Sequence, residues 1–442
     1  MARGVLLRSS ETIVPEPIFP ADRRALLSLT RLGWGLALPV LLLMGIGLAC
    51  IHATEGSAAA ELANSPDTMR GLIQPSEMAV DEDWVETLAR QVGTNTAKQI
   101  VFIVSGLGLM VLALIPSYQR IGRFAYAAYA GVLGLLLLLM IDRYVFNIPD
   151  FIVPVRQNAR RWVTFGGAFG IQPSEFMKLA LVLALARYLR YRDSYRTWRG
   201  LIAPLALAIV PAVMILKQPN LGTCMLLMPV LFAMLFMAGA RVRHLLTVVG
   251  VGALLMPAFY FFGMQEYQRD RVLVVLNQNS DDESWHKAQG YQLRVGKIAL
   301  ATGGVWGRGY GQGEFVGGGL TLPEGHNDFI FSIVGHQFGL VGCLVVIGCY
   351  IAIVFFGLEV ASATNDPFGK LVAVGVVVMI VVQAFFNMAT NLGLAPITGV
   401  QLPFVSAGGS SLWANMIALG LLINVAQRRP LLIAQPPFVH KE

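Results

Sequence analysis

The strongest chemical signal in this chain is an acidic residue at the threshold of a long apolar run. Asp328 lies in Gly325-His326-Asn327-Asp328-Phe329-Ile330-Phe331-Ser332, directly before residues that read as a membrane helix. Ionisable groups within a span are costly and mark function by default, and a helix N-terminus stabilises an anion through its dipole. The same placement suits an ordinary capping or first-turn carboxylate, and the local sequence leaves both readings open. A second signal is Gln172-Pro173-Ser174-Glu175-Phe176-Met177-Lys178. Proline in the first turn with Glu close behind starts many helices. Glu175 and Lys178, three residues apart, share a face and can pair. The same four letters recur at Gln74 to Glu77 with no apolar run behind them, and are read as chance.

A third stretch runs from Asn391-Leu392-Gly393 to Gly399 and on through Gln401-Leu402-Pro403-Phe404-Val405-Ser406-Ala407-Gly408-Gly409-Ser410-Ser411. Gly and Pro let backbone bend and approach a ligand closely. Such a stretch is either a re-entrant loop lining a cavity or a plain tight connection. Gln218-Pro219-Asn220-Leu221-Gly222-Thr223 reads as a similar Pro-broken opening to a helix. His326 and His336 stand ten apart with no second acidic cluster, which disfavours a zinc pair. The glycines at 303, 304, 307, 309, 311 and 313 form no Walker or Rossmann pattern in context. No Gly-x-Ser-x-Gly elbow with partners is visible, so nucleotide-driven chemistry is disfavoured. The cysteines, Cys50, Cys224, Cys343 and Cys349, all fall in apolar runs without metal-site spacing.

The elements that must position these residues are membrane helices. The 442 residues are 55% hydrophobic and 13% charged, about half the charge of a soluble domain. The net charge of +7 is explained by Lys and Arg retained in loops on one side of a membrane. No basic stripe with interleaved aromatics points to nucleic acid. Ten apolar runs are long enough to cross: 33–52, 99–116, 124–141, 174–189, 200–216, 221–239, 243–262, 327–357, 371–393 and 408–427. The fourth is weakened by Glu175 and Lys178, and the eighth is overlong, so it is expected to begin in a loop or re-entrant stretch. The fold class is therefore an all-α polytopic membrane bundle of about ten helices with large outer loops.

Arg23, Arg24 and Arg31 precede the first run, which has no clear cleavage site and is read as an uncleaved span. They share a side with Arg120 and Arg123, the cluster from Arg187 to Arg199, Arg241 with Arg243, and Arg428 with Arg429. Both termini are thus expected to be cytoplasmic, with residues 1–32 and 429–442 as tails around the core at 33–428. The outer face carries loops at 53–98, with the acidic stretch Asp81-Glu82-Asp83-Trp84-Val85-Glu86, at 142–173, and at 263–326. Long structureless loops of this kind are functional or disordered.

Five stretches in this order resemble the SEDS family, the FtsW/RodA/SpoVE group. They are NARRW at 158–162, IQPSEFMK at 171–178, QPNLGT at 218–223, GHNDFIFSIVGHQFGLVG at 325–342 and NLGLAPITGVQLPFVSAGGSSL at 391–412. The resemblance covers residues 99 to 427. It implies a polymerase that joins lipid II units into glycan strands at the outer face of the bacterial cytoplasmic membrane. It implies that Asp328, aligned with the family's required Asp, is the catalytic residue. Arg161, Trp162 and Glu175 follow as cavity residues. Arg160, Lys178, Lys217, Ser406 and Ser410 complete the candidate substrate-binding set.

The chemistry suits those residues. A carboxylate can act as general base on an acceptor sugar hydroxyl, while polyprenyl diphosphate leaves from the donor. Arg160, Arg161, Lys217 or a divalent cation such as Mg or Mn would meet the diphosphate. The implied partners are lipid II and the nascent glycan strand, membrane lipid, and a class B penicillin-binding protein transpeptidase. Five positions depart from the family pattern: Asn327 for Thr, Asn220 for an acidic residue, His336-Gln337 for an acidic pair, and Ala407 for an aromatic. They put secondary roles in doubt, metal binding above all. The alternatives are a flippase for the lipid-linked precursor and a non-catalytic scaffold of the division or elongation machinery.

Overall fold

The computed structural model describes residues 33–64, 93–142, 149, 153–154, 160–165, 169–192, 194–278, 290–315, 322 and 325–428. Both expected tails, the acidic stretch at 81–86, the second QPSE copy and the first two residues of NARRW lie outside them. The chain begins with α1 (Trp34–Asn64) and α2 (Thr94–Leu114). A short α3 (Tyr118–Arg123) then leads into α4 (Ala125–Ile141). An antiparallel hairpin follows, β1 (Val163–Phe165) with β2 (Phe169–Ile171), in register Val163 opposite Ile171. Next come α5 (Pro173–Leu189), α6 (Trp198–Lys217), α7 (Leu221–Ala238) and α8 (Val242–Ala258). Two shorter helices, α9 (Glu266–Leu276) and α10 (Tyr291–Thr302), precede α11 (Ile330–Ser362). The bundle closes with α12 (Pro367–Asn391) and α13 (Gly409–Gln427).

Eight of these helices are long and apolar enough to cross a membrane. With α4 and α5, of 17 residues each and at the short end of the spanning range, they make the ten expected runs. The chain is an all-α polytopic membrane bundle, and the hairpin is its one strand pair among the described residues. The long loop at 263–326 is less structureless than its composition suggests, because α9 and α10 lie in it. Helix α10 forms there because Leu293, Val295 and Ala299 are buried against the start of α11.

The helix whose charges weakened it in sequence is the centre of the bundle. Helix α5 packs on α4, α7, α12 and α13, and residues from Met177 through Ala186 are buried without interruption. Hydrophobicity drives lipid-facing helices into the membrane, but a helix enclosed by protein can carry polar groups when they are satisfied. By contrast, α8 leaves Leu246, Val249, Leu254 and Leu255 exposed, as a lipid-facing helix does.

The overlong eighth run resolves into two helices joined at a kink. Gly339 interrupts α11 with φ 66 and ψ −160, a conformation open essentially to Gly alone. The break frees backbone groups that must be paired at membrane depth. The Gly-rich segment after α10 pairs them. Arg308 and Gly309 N–H donate to the carbonyls of His336 and Gln337, at 2.9 and 3.1 Å. The Leu340 and Val341 N–H groups donate to the carbonyls of Gly304 and Val305, at 2.9 and 3.2 Å. A Cβ on Gly303 or Gly307 would strike the α11 backbone, so these glycines serve close backbone approach.

Between α12 and α13 the chain re-enters the bundle as irregular backbone, burying Ile397, Leu402, Phe404 and Val405. Its carbonyls are met by side chains from surrounding helices. Tyr350 donates to Pro403 (2.6 Å), Asn387 to Val400 (2.8 Å), and Gln383 to Gln401 (2.9 Å). Gln99 of α2 brackets Ser406 and Gly408, donating to one and accepting from the other. Of the two sequence readings for this stretch, it is the re-entrant loop.

Candidate active site

The QPSE, QPNLGT, HNDF and re-entrant stretches converge on one cavity of ≈ 310 Å³. Asp328 and Asn327 reach it from the turn before α11, Arg161 and Trp162 from the approach to β1, and Glu175 from α5. Asn220 and Thr223 open α7, Gln383 comes from α12, and Thr398 to Gln401 form the re-entrant wall. Arg271 of α9 closes the remaining side.

Asp328 is not the cap of α11. Phe329 occupies the N-cap position, which makes no side-chain cap hydrogen bond. What anchors Asp328 is its main chain: its carbonyl accepts from the amides of Asn387 (2.8 Å) and Asn391 (3.0 Å). Asn391 also accepts from the N–H (3.0 Å) and hydroxyl (2.7 Å) of Ser332, fixing the first turn of α11 to α12. The residue lines the cavity. Its Oδ2 lies 3.5 Å, and Arg271 Nη1 3.7 Å, from the point where a Cβ on Gly399 would stand. Gly399, at φ 72, makes room for both groups. Arg271 is aimed by donating to the Ile397 carbonyl at 2.9 Å.

Glu175 is placed differently. Its Oε2 meets Lys178 Nζ at 2.8 Å, and the ammonium also donates to Gln383 Oε1 at 2.6 Å. Thr223 donates to Glu175 Oε1 at 3.4 Å. Lys178 is 1% exposed and lies behind the wall. A charge so buried is tolerated only when paired and hydrogen-bonded, so Glu175 is in large part the counter-ion of Lys178. The ion-pair reading of this helix start is what the structure contains, and one of its two members faces the cavity.

Of the sequence candidates, Asp328, Arg161, Trp162 and Glu175 line the cavity. Arg160 does not; it pairs with Asp142 at 3.0 Å. Lys217 ends α6 at an exposed position off the wall. Ser406 and Ser410 are clasps rather than wall residues. Ser406 donates to the Asn327 carbonyl (2.6 Å) and accepts from Leu402 N–H (2.8 Å). Ser410 donates to the Gly170 carbonyl and accepts from Gln172 N–H, both at 3.0 Å, joining the hairpin to α13.

Sequence reasoning missed Arg271 and the polar face of α12. A signal existed for each. Arg271 is a basic residue on the loop face that should be poor in them. Gln383, Asn387 and Asn391 recur every four residues in an apolar helix, which puts three amides on one face.

Among the described residues no three His, Cys, Asp or Glu side chains converge, and Glu175 already serves Lys178. Asn220 caps α7, accepting from Thr223 N–H at 3.2 Å and donating to Ser174 at 3.1 Å. His336 faces Thr302 (2.9 Å) and the edge of Phe315. Asn220 stands on the cavity wall as an amide rather than a carboxylate, and His336 is not among the lining residues.

Known proteins share this arrangement. The model for cell cycle proteins of the FtsW/RodA/SpoVE type matches residues 80–430. A Geobacter metallireducens protein named probable peptidoglycan glycosyltransferase FtsW is 36% identical over 335 residues, 75% of this chain and 84% of the relative. Peptidoglycan glycosyltransferase MrdB of Escherichia coli K12 is 32% identical over 341 residues, 76% and 86% of the two chains. Among solved structures, a chain from a peptidoglycan synthase complex described as coordinating polymerization and crosslinking superposes with a TM-score of 0.67. It is 28% identical and covers 90% of this chain and 98% of its own. The rod shape determining protein RodA of Thermus thermophilus gives 0.58 at 25% identity, covering 90% and 97%. Matched across its core and carrying the motifs in order around one cavity, the chain belongs to the FtsW/RodA/SpoVE family of cell cycle proteins.

Proposed function

We propose that this chain is a peptidoglycan glycosyltransferase that polymerises lipid II, with Asp328 as general base. The observation that carries the reading is the position of Asp328 on the wall of the cavity where the QPSE, QPNLGT and re-entrant stretches meet, its main chain held by Asn387 and Asn391. Glu175, the other carboxylate of that wall, is the counter-ion of Lys178. A base must reach the proton it removes. Asp328 would take the proton of an acceptor sugar hydroxyl as that oxygen attacks the donor anomeric carbon. The bond to the diphosphate oxygen breaks, the polyprenyl diphosphate departs with the electron pair, and the anomeric centre inverts.

The leaving group needs positive charge rather than a proton. Arg161 and Arg271 are the cavity's cations, and guanidinium forks suit phosphate oxygens. This reassigns the role expected of Arg160 and Lys217, and no step is routed through a metal. The family resemblance supports lipid II as substrate and placement in the bacterial cytoplasmic membrane. The one-sided distribution of arginines supports both termini inside and the cavity facing out. A crosslinking transpeptidase of the class B penicillin-binding type is the proposed partner, supported by the polymerization and crosslinking complex among the structural neighbours.

The test is lipid II polymerisation by purified protein, with and without the transpeptidase, comparing wild type with Asp328→Asn. Asn387 and Asn391 hold Asp328 by its carbonyl, so the variant keeps these two bonds. Loss of a general base lowers the rate about 10²- to 10⁴-fold. Equal strand formation by both proteins would remove Asp328 from the chemistry. Absence of strands from the wild type with its partner would favour a flippase or scaffold.

A further inference from the structure

A second polar gap lies at the opposite end of the bundle. Helix α6 runs from Trp198 to the cavity side at Asn220, and α7 returns, so the beginnings of α6 and α8 meet far from Asp328. Between them is a space of ≈ 450 Å³ lined by Arg196, Trp198, Arg241, Arg243 and His244. We infer that it binds the phosphate headgroup of an anionic phospholipid.

Four features converge there. Arg196, Arg241 and Arg243 bring three exposed guanidiniums to one gap, and none pairs with a carboxylate among the described residues. Two helices begin at its edge, and α8 has no side-chain cap, so first-turn N–H groups and two dipoles favour an anion. The ring of His244 lies 4.3 Å from that of Trp198. Its Nδ1 is buried with no hydrogen-bond partner, in a residue 5% exposed. A buried polar atom without a partner is rare and calls for one.

The fourth feature selects a lipid over a soluble phosphate. Beyond the headgroup gap, Ile202 on α6 and Leu246 and Val249 on α8 are exposed, giving acyl chains an apolar track from the charged end. Trp198 stands at the junction, where indoles favour the membrane boundary. Basic pockets between helices on the arginine-rich side hold anionic headgroups.

The experiment reconstitutes full-length protein in mixed phosphatidylcholine and phosphatidylglycerol vesicles and measures retained phosphatidylglycerol by native mass spectrometry. The variants are Arg196→Gln/Arg241→Gln/Arg243→Gln, His244→Phe, and Arg120→Gln/Arg123→Gln as a control at another basic turn. Removing three charges is expected to weaken retention on the order of a hundredfold. His244→Phe keeps the contact with Trp198 and removes Nδ1, for about a tenfold loss. The control should retain lipid like the wild type. Wild-type retention by the triple variant would overturn the site, as would an equal loss in the control, which means general surface attraction. Full displacement of the lipid by inorganic phosphate would overturn the lipid assignment.

Discussion

The buried pair of Glu175 and Lys178 permits a prediction that separates architecture from chemistry. Removing one member of a buried ion pair costs about 3–5 kcal/mol, because the other charge is stranded, whereas replacing both with neutral groups of similar size is often neutral or better. The two single changes are not equivalent here. Glu175→Gln strands an ammonium that is 1% exposed and retains Gln383 at 2.6 Å, so it should sit near the top of that range. Lys178→Met strands a carboxylate that opens on the cavity and reaches solvent there, so it should sit near the bottom. Glu175→Gln/Lys178→Met should recover most of the loss, with a coupling of at least about 2 kcal/mol. Unfolding in detergent micelles, followed by thermal or denaturant melts, measures the cycle. Additive single effects, or a double variant as unstable as Glu175→Gln, would refute the counter-ion role. Polymerisation by the folded double variant then reports on Glu175: wild-type rates would restrict it to structure, and a well-folded inactive protein would put it in contact with substrate.

Three further outcomes follow from the same geometry. Asn391→Leu strands the buried N–H and hydroxyl of Ser332 and removes one of two donors to the Asp328 carbonyl. Each buried group left unpaired costs about 1–3 kcal/mol, so both the melting temperature and strand synthesis should fall. Gly339→Ala forces a side chain into a conformation that costs about 1–3 kcal/mol and drives its Cβ into the backbone of Val305 and Gly307. Reduced yield of monodisperse protein and a lowered melt are expected, and an unchanged melt would contradict the described break. Arg271→Ala should slow polymerisation on the order of a hundredfold, as removal of one preorganised charge-stabilising donor does. Arg271→Lys should recover only part, since an ammonium lacks the fork, and equal rates in all three proteins would remove Arg271 from the reaction.

Much of the fold was legible because its signals are local. A run of apolar residues declares a span wherever it packs, since lipid imposes the same demand on every segment that crosses it. The ten runs, the overlong eighth, and the alternation of arginines all follow from that one-body constraint. The order of short motifs was legible too, and through the family resemblance it pointed to Asp328 before any geometry was known.

What the chain order could not decide is which polar residues face each other. Arg160 and Arg161 are neighbours in sequence, yet one pairs with Asp142 and the other lines the cavity. Ser406 and Ser410 look like ligands in a Gly-rich stretch and prove to be clasps on Asn327 and Gly170. Arg271 becomes a cavity residue only because α9 folds against the re-entrant loop 126 residues later. The sequence by itself determined that this is a membrane bundle with an acidic residue at the head of a broken helix, because burial and span length act on each segment alone. The Glu175–Lys178 pair, three residues apart, is readable locally, but the side chains that gather around Asp328 are set by folding, because Arg271, Gln383 and the re-entrant loop come from distant segments that meet when the bundle closes.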